Sequence, residues 1–207
     1  MRLAVSNIAW PAEDRARLAT LTDALERASA RKVILVSTVD VYPTPIEVDE
    51  ATPIDPDGGQ SYGRHRYALE RFVQERFDTL VVRLPGLFGT GIKKNIVFDF
   101  LHDNNVSQVH ADSVFQFYGL DTLWRDIETA LANGLTLVNF ATEPVSVADV
   151  AREAFGMEFA NRPASPPARY DFRSRHATLF GGRGEYLQAR ARVLGGLTEF
   201  VRRERGR

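Results

Sequence analysis

The chain has 207 residues, 44% of them hydrophobic, which is enough for one cored domain or for one domain with a small lobe. Its formal net charge of −1 favours neither nucleic acid nor an anionic membrane as a partner, and the absence of cysteine excludes disulfides and thiolate chemistry. No apolar run has membrane-spanning length and the N-terminus lacks the pattern of a signal peptide, so we expect a cytoplasmic protein.

The first elements predicted are a short apolar strand, Leu3–Val5, and a helix beginning at Pro11. Proline suits the first helical position, and Glu13 and Asp14 follow in the first turn. An apolar stripe at helical spacing is expected to pack on a sheet, and it consists of Leu18, Leu21, Leu25 and Ala28. A strand at Val33–Ser37, apolar on both faces, is predicted to be a buried parallel strand.

The middle of the chain continues the alternation of helix and strand. A helix is predicted from Tyr62 to about Phe77, and a second buried parallel strand at Leu80–Leu84, closed by Pro85 and Gly86. Strand, helix and strand with short links imply parallel pairing through a right-handed crossover.

The later elements are shorter. Predicted helices are Ile96–Leu101, Leu120–Leu131 with Trp124, Ile127 and Leu131 inward, Ser146–Phe155 with a Ser146/Asp149 cap, and a C-terminal helix with the stripe Val193, Leu194, Leu197, Phe200 and Val201. Predicted strands are Val106–Val109, Val114–Tyr118 and Leu135–Phe140, and Arg162–Ala168 is a predicted loop. The fold class expected is α/β, a partial Rossmann-like parallel sheet with helices on both faces and a small C-terminal lobe. Residues 1–142 would form the partial dinucleotide-binding domain, and 143–207 the substrate-side lobe.

Polar residues follow the strand that ends at Ser37, where open α/β sheets bind their ligands. They include Thr38 and Asp40, while Tyr62 and Arg66, four positions apart, share one helix face. A phenol ionises near pH 10, and a nearby cation favours the phenolate. A strand-end hydroxyl, a phenol and a cation therefore predict proton transfer at a carbonyl or alcohol.

Four blocks in this order resemble the extended short-chain dehydrogenase/reductases, the NAD-dependent epimerase/dehydratase family: VSTVDVY (36–42), YGRHR (62–66), VVRLPGLFGTG (81–91) and EPVSVADVA (143–151). The resemblance implies that Thr38 hydrogen-bonds the reacting sugar oxygen and that Tyr62 is the catalytic acid/base. Arg66 stands where the family usually has lysine, which contacts the nicotinamide ribose. Tyr62, Arg66 and Pro85 are thus the predicted cofactor contacts, for NAD or NADP.

The family begins with a strand, a glycine-rich turn and a helix that hold the dinucleotide pyrophosphate. The first residues of this chain instead resemble the family's fourth strand, so the resemblance implies a member that lacks the N-terminal glycine-rich half. NAD binding by the isolated chain is then expected to be poor. An uncovered strand Leu3–Val5 would favour a homodimer through that edge.

The resemblance further implies a nucleotide-sugar substrate, with predicted contacts at Asp40, Gly86, Lys93, Lys94 and Asn95. The alternative interpretations are that the two lysines are solvated surface charges and that Asp40 bonds to nearby backbone. With a single carboxylate after Thr38, epimerisation or reduction fits better than 4,6-dehydration. The competing hypothesis is a non-catalytic relative that binds a nucleotide sugar or a protein partner.

Two other groups of residues are candidates for binding. The four histidines, at positions 65, 102, 110 and 176, lack metal-ligand spacing, so no metal is predicted. Three arginines, Arg169, Arg173 and Arg175, flank Tyr170 and could clamp a phosphate by bidentate contacts, or lie exposed.

Overall fold

The computed structural model describes residues 11–206, so the predicted strand Leu3–Val5 lies outside the described residues. The described helices are α1 (Pro11–Glu26), α2 (Ser61–Arg76), α3 (Ile96–His102), α4 (Leu123–Ala132), α5 (Val147–Phe155) and α6 (Arg190–Arg205). The described strands are β1 (Val33–Thr38), β2 (Ile46–Val48), β3 (Thr79–Leu84), β4 (Gly86–Phe88), β5 (Val114–Phe115), β6 (Phe117–Gly119), β7 (Leu137–Asn139), β8 (Val145–Ser146) and β9 (Asp171–Phe172).

The central sheet is parallel and has the order β1-β3-β7. Strand β3 is buried along its whole length, as its apolar residues on both faces predict. The matching prediction for β1 is wrong in part, since Val36 is 51% exposed. Within the described residues β1 lies at the edge of this sheet, where one flank has no neighbouring strand.

Helix α1 begins at Pro11 as predicted, but its apolar stripe does not form a buried face. Leu21 is 43% exposed, and Ala28 follows the end of the helix. The helix lies against α2 and is joined to it by polar contacts, such as the one from Arg76 Nε to the carbonyl oxygen of Leu25 at 3.1 Å.

Between residues 106 and 132 the structure departs from the sequence prediction at three places. Val106–Gln108 is a 3₁₀ turn rather than a strand, and the predicted strand Val114–Tyr118 is divided into β5 and β6, which pair with β8 and β4 respectively. Trp124 on α4 is 61% exposed, whereas Ile127 on the same helix is buried as predicted. Propensity alone does not indicate which face of a short helix meets the core.

The predicted cap of α5 is confirmed, because Ser146 Oγ accepts a hydrogen bond from the backbone N–H of Asp149 at 3.1 Å. Helix α6 buries its apolar stripe, and the lack of a side chain at Gly196 leaves room for the ring of Phe88. One hydrophobic cluster combines residues from both sides of position 142: Phe88, Val97, Phe117, Val150, Leu197 and Phe200 are among its members. The proposed division into domains at this position remains a prediction. No helix within residues 11–206 is long and apolar enough to cross a membrane.

Candidate functional site

The carboxyl end of β1 carries the hydroxyl that the sequence singled out. Thr38 is the N-cap of the 3₁₀ turn Val39–Val41, and its Oγ1 accepts a hydrogen bond from the backbone N–H of Asp40 at 3.2 Å. The same hydroxyl donates to Asp40 Oδ2 at 3.3 Å, a long contact. Thr38 therefore fixes the turn and orients the Asp40 carboxylate at the sheet edge.

Helix α2 reaches this turn because its third residue is glycine. A Cβ on Gly63 would lie only 1.9 Å from the carbonyl oxygen of Asp40, so any side chain at this position would push the two backbones apart. The close approach brings Tyr62, the preceding residue, beside the end of β1. The one sequence signal for this close approach is a glycine in the first turn of a helix, a position at which other residues are favoured.

Tyr62 and Arg66 lie together as their spacing predicts. The carbon Cζ of the Arg66 guanidinium lies over the Tyr62 ring, 4.5 Å from its centroid. Arg66 Nη2 also donates a hydrogen bond of 2.7 Å to Asp14 Oδ1, and Asp14 Oδ2 lies 2.8 Å from His65 Nδ1. Burial raises the pKa of Asp14, but the hydrogen bonds from His65 and Arg66 outweigh it and the pKa falls below its usual value.

A second cation, Lys94, approaches the same tyrosine. Its Nζ lies 5.9 Å from the centroid of the Tyr62 ring, and no carboxylate among the described residues forms an ion pair with it. The Lys94 side chain is exposed, but partial desolvation lowers its pKa, the charge of Asp40 opposes this, and the like charge of Arg66 adds to it. Lys94 therefore feels the charges of both Asp40 and Arg66.

Asp40 is the acidic group of the site cluster, which comprises Thr38, Asp40, Tyr62, Arg66 and Lys94 with the residues that contact them. Burial raises its pKa, against the lowering effects of hydrogen bonds from Tyr170 and Thr38 and of the Lys94 charge. The Tyr170 hydroxyl donates to Asp40 Oδ1 at 3.3 Å, from a loop 130 positions further along the chain. Burial and the nearby Asp40 carboxylate raise the pKa of Tyr170, so this hydroxyl keeps its proton and acts as a donor.

A buried ion pair joins α2 to β3. Glu70 and Arg83 are almost completely buried, and Arg83 Nη2 contacts Glu70 Oε2 at 2.6 Å. The hydroxyl of Ser37, next to Thr38, donates to the same carboxylate. Arg83 Nη1 donates to the hydroxyl of Tyr42 at 2.7 Å. The network ties the two elements that carry Thr38 and Tyr62 to the central strand.

A second polar junction joins the C-terminal part of the chain to β7. Glu50 Oε1 accepts hydrogen bonds from the backbone N–H of Asn139 at 2.8 Å and from Ser174 Oγ at 2.6 Å, and Oε2 accepts one from the N–H of Arg175 at 2.9 Å. Asn139 Nδ2 donates to the hydroxyl of Tyr42 at 3.0 Å, which connects the junction to the buried ion pair.

The other predicted site residues have structural contacts. Asn95 caps α3 through a 2.9 Å hydrogen bond from the N–H of Val97, and its Nδ2 donates to the carbonyl of Leu87 at 2.7 Å. Gly86 begins β4, and a Cβ there would lie 3.0 Å from the carbonyl oxygen of Gln116. Lys93 and Lys94 are both exposed, as the interpretation of solvated surface charges expects, and Pro85 is buried. Their substrate and cofactor roles remain predictions.

The arginines around Tyr170 differ from one another. Arg173 pairs with Glu47, Asp171 and Glu185 at 2.9–3.3 Å, so its charge is neutralised by this chain's own carboxylates. Arg169 is exposed. The arrangement gives no support to a phosphate clamp centred on Arg173.

Three residues that contact the site were not predicted as site residues from the sequence: Asp14, Gly63 and Tyr170. The sequence predicts Asp14 only as a helix-start residue, and Tyr170 only as the centre of an arginine-rich loop. Their contacts with Arg66 and Asp40 span 52 and 130 positions, and a local pattern does not report contacts over such separations.

Comparison with known proteins gives structural matches alone. No protein-family model matches the chain, and a search of curated proteins finds no match. The WbmG enzyme of Bordetella bronchiseptica, solved with NAD, matches with a TM-score of 0.71 at 18% identity, over 98% of this chain and 70% of that one. TunA, an NAD-dependent NDP-hexosamine 5,6-dehydratase, matches at 0.70 and 19% identity, over 100% of this chain and 76% of that one.

A third match is the UDP-glucose 4-epimerase of Bifidobacterium longum, solved with NAD⁺ and UDP, at a TM-score of 0.68 and 16% identity over 99% of this chain and 75% of that one. The chain has the fold of the nucleotide-sugar epimerases and dehydratases. It spans 66% of a UDP-galactose 4-epimerase structure and 79% of a dTDP-4-dehydrorhamnose reductase structure. The epimerase/dehydratase fold confirms the α/β, Rossmann-like class expected from the sequence. Thr38 lies at the carboxyl end of the parallel strand β1.

Proposed function

We propose that the chain is part of an NAD(P)-dependent oxidoreductase of the epimerase/dehydratase type that acts on a nucleotide sugar. The observation that carries the proposal is the close approach of α2 at Gly63, the residue after Tyr62, to the turn that holds Thr38 and Asp40, within a fold shared with nucleotide-sugar enzymes. Ligands of parallel α/β sheets bind at such strand ends.

The proposed roles follow from the contacts. Tyr62 takes the proton of the reacting sugar hydroxyl and returns it, and the Thr38 hydroxyl gives up its long contact with Asp40 and donates its one proton to the same sugar oxygen. Asp40, whose pKa is raised by burial, sits one hydrogen bond from Thr38 and supports epimerisation or reduction at the neighbouring carbon. NAD or NADP, when bound, supplies the hydride acceptor and donor.

One atom of the site fits such a cofactor. Arg66 Nη1 is buried and has no hydrogen-bond partner among the described residues, and a buried donor without an acceptor is costly. A hydroxyl or phosphate oxygen of a bound ligand would satisfy it. The guanidinium is already fixed by Asp14 and by the Tyr62 ring, so it would present this N–H in a defined direction.

The test combines binding with turnover. Calorimetry with UDP-glucose and dTDP-glucose, fluorescence titration with NADH, and a hydride-transfer assay are applied to the wild type, Tyr62→Phe and Tyr67→Phe. Tyr67 is the matched control, since it lies on α2 and packs against a hydrophobic cluster that does not contain Tyr62. We expect Tyr62→Phe to lose about 100-fold or more in turnover, as removal of a general acid/base does, with little change in sugar-nucleotide affinity. Full turnover by Tyr62→Phe, or no binding of either sugar nucleotide by the wild type, would refute the proposal.

A second candidate function is binding of a nucleotide sugar without catalysis. The observation that favours it is the ion pair of Arg66 with Asp14, which neutralises the cation closest to Tyr62. In that case calorimetry gives sugar-nucleotide binding, NADH does not bind, and Tyr62→Phe binds as the wild type does.

A further inference from the structure

The two cations around Tyr62 are not equivalent. Arg66 is held by Asp14 at 2.7 Å and stacks on the face of the ring, so both its charge and its orientation are engaged by the protein. Lys94 also lies within cation–π range of that ring, but none of the described carboxylates forms an ion pair with it. Arg66 leaves only Nη1 without a partner among the described residues, whereas no described carboxylate forms an ion pair with Lys94, so Lys94 is the cation whose charge is not neutralised by an ion pair.

Lys94 also stands on a different part of the site. It follows β4 and precedes α3, whereas Arg66 and Tyr62 share α2. Its Nζ lies 5.9 Å from the centroid of the Tyr62 ring on α2, and the charges that act on it are those of Asp40 at the end of β1 and of Arg66 on α2. A compact ammonium on a flexible stem adapts to a ligand oxygen more readily than a stacked guanidinium does.

We propose that Lys94 is the functional cation of this site: it holds charge beside Tyr62 and contacts the oxygen of the substrate, while Arg66 positions the tyrosine ring and anchors α1. The role that the family resemblance assigns to Arg66, a cation beside the catalytic tyrosine, is thus carried out by Lys94. The inference rests on the proposed function for its substrate, a nucleotide sugar, but the placement of Lys94 is testable without any ligand.

The first experiment measures the reactivity of Lys94 in the free, full chain. The sequence has three lysines, Lys32, Lys93 and Lys94, so acetylation with N-hydroxysuccinimide acetate over a pH series can be followed for each by peptide mass spectrometry. The charged and titratable groups around Lys94 are Asp40, with its partner Tyr170, then Arg66, with its partners Asp14 and His65, and Tyr62.

Because the Arg66 charge lowers the pKa of Lys94, Arg66→Met is expected to move the half-maximal acetylation of Lys94 to higher pH. Asp40→Asn is expected to move it to lower pH, since the Asp40 carboxylate raises that pKa. Arg66→Lys keeps the charge and is the conservative control, and Lys32, which pairs with Asp78, is the internal reference. If neither Arg66→Met nor Asp40→Asn moves the Lys94 profile, the ammonium does not lie in this field and the proposal is overturned.

The second experiment separates a functional cation from a structural one. Removing a donor that stabilises developing charge costs about 100-fold or more in turnover, so Lys94→Met is expected to lose this much and Lys32→Met to keep wild-type turnover. Arg66→Lys placed in the Lys94→Met background should recover part of the loss, because it returns an ammonium to the ring. A larger loss in Arg66→Met than in Lys94→Met would overturn the assignment. If the wild type binds no UDP-glucose, the proposed function fails, and the acetylation profiles alone decide the placement of Lys94.

Discussion

Replacing Gly63 with alanine should reverse the usual sign of a helical glycine-to-alanine change. Alanine is favoured over glycine inside a helix by about 1 kcal/mol. At Gly63, however, the new Cβ would lie 1.9 Å from the carbonyl oxygen of Asp40, where real contacts are longer than 3.0 Å, so the backbones must separate by about 1 Å. The obstacle is backbone and cannot rotate away. Since overpacking costs about 1–3 kcal/mol and the helix preference for alanine offsets about 1 kcal/mol of it, we expect a net loss of up to about 2 kcal/mol in the free energy of unfolding.

Urea unfolding followed by far-ultraviolet circular dichroism measures this loss. Gly195 on α6 is the matched control, because a Cβ there would meet no atom within 4 Å, and Gly195→Ala should gain about 0.5–1 kcal/mol. The displaced start of α2 should also weaken sugar-nucleotide binding in Gly63→Ala alone. Equal stability of the two variants would show that α2 does not depend on this close approach, and the account of how Tyr62 reaches the end of β1 would have to be abandoned.

Glu70→Gln leaves the buried Arg83 guanidinium without its charged partner, so the free energy of unfolding should fall by about 3–5 kcal/mol, and by less in the joint variant Glu70→Leu/Arg83→Met. Urea titrations test this, and a joint variant less stable than the single one would contradict it. Burial raises the pKa of Asp40, so the folded chain binds this proton more tightly and its contribution to stability falls as the pH rises above 3.8. Asp40→Asn should therefore be more stable than the wild type near neutral pH and lose this advantage below pH 3.8, the ordinary pKa of aspartate. Thermal unfolding of both proteins near neutral pH and below pH 3.8 measures the difference, and a stability advantage that persisted in acid would refute the reasoning. Ile127→Ala should cost about 2–5 kcal/mol, and Trp124→Ser on the same helix less than about 0.5 kcal/mol, by the same urea assay; comparable losses would show that the orientation of α4 is wrong.

The elements that the sequence predicted well are those whose signals are local. Strand β3 is apolar on both faces and is buried on both. The serine cap of α5 and the glycine that ends it at φ 65° form a pair of signals at fixed spacing. By contrast, Val36 is exposed although its strand is apolar, because the composition of β1 does not specify its position in a sheet or what covers its faces.

In the candidate site, too, the local features were predicted and the long-range contacts were not. The four-residue spacing of Tyr62 and Arg66 correctly places both on one helix face. The spacing does not reveal that Asp14 takes up the charge of Arg66, or that Lys94 approaches the same ring from the segment before α3, because these contacts depend on how distant elements pack. The roles of Thr38, Tyr62 and Arg66 in catalysis remain predictions.

The carboxylate of Glu50 has a consequence for how the chain can be divided. It joins the backbone of β7 to Ser174 and Arg175, so the strand end and the C-terminal segment share one acceptor. A shortened version ending before residue 170 would leave that carboxylate, and the amide of Asn139 behind it, open to water at the rim of the sheet. Anyone seeking a minimal folded fragment of this protein should therefore retain the segment through Arg175, even if the ligand is bound entirely by earlier residues.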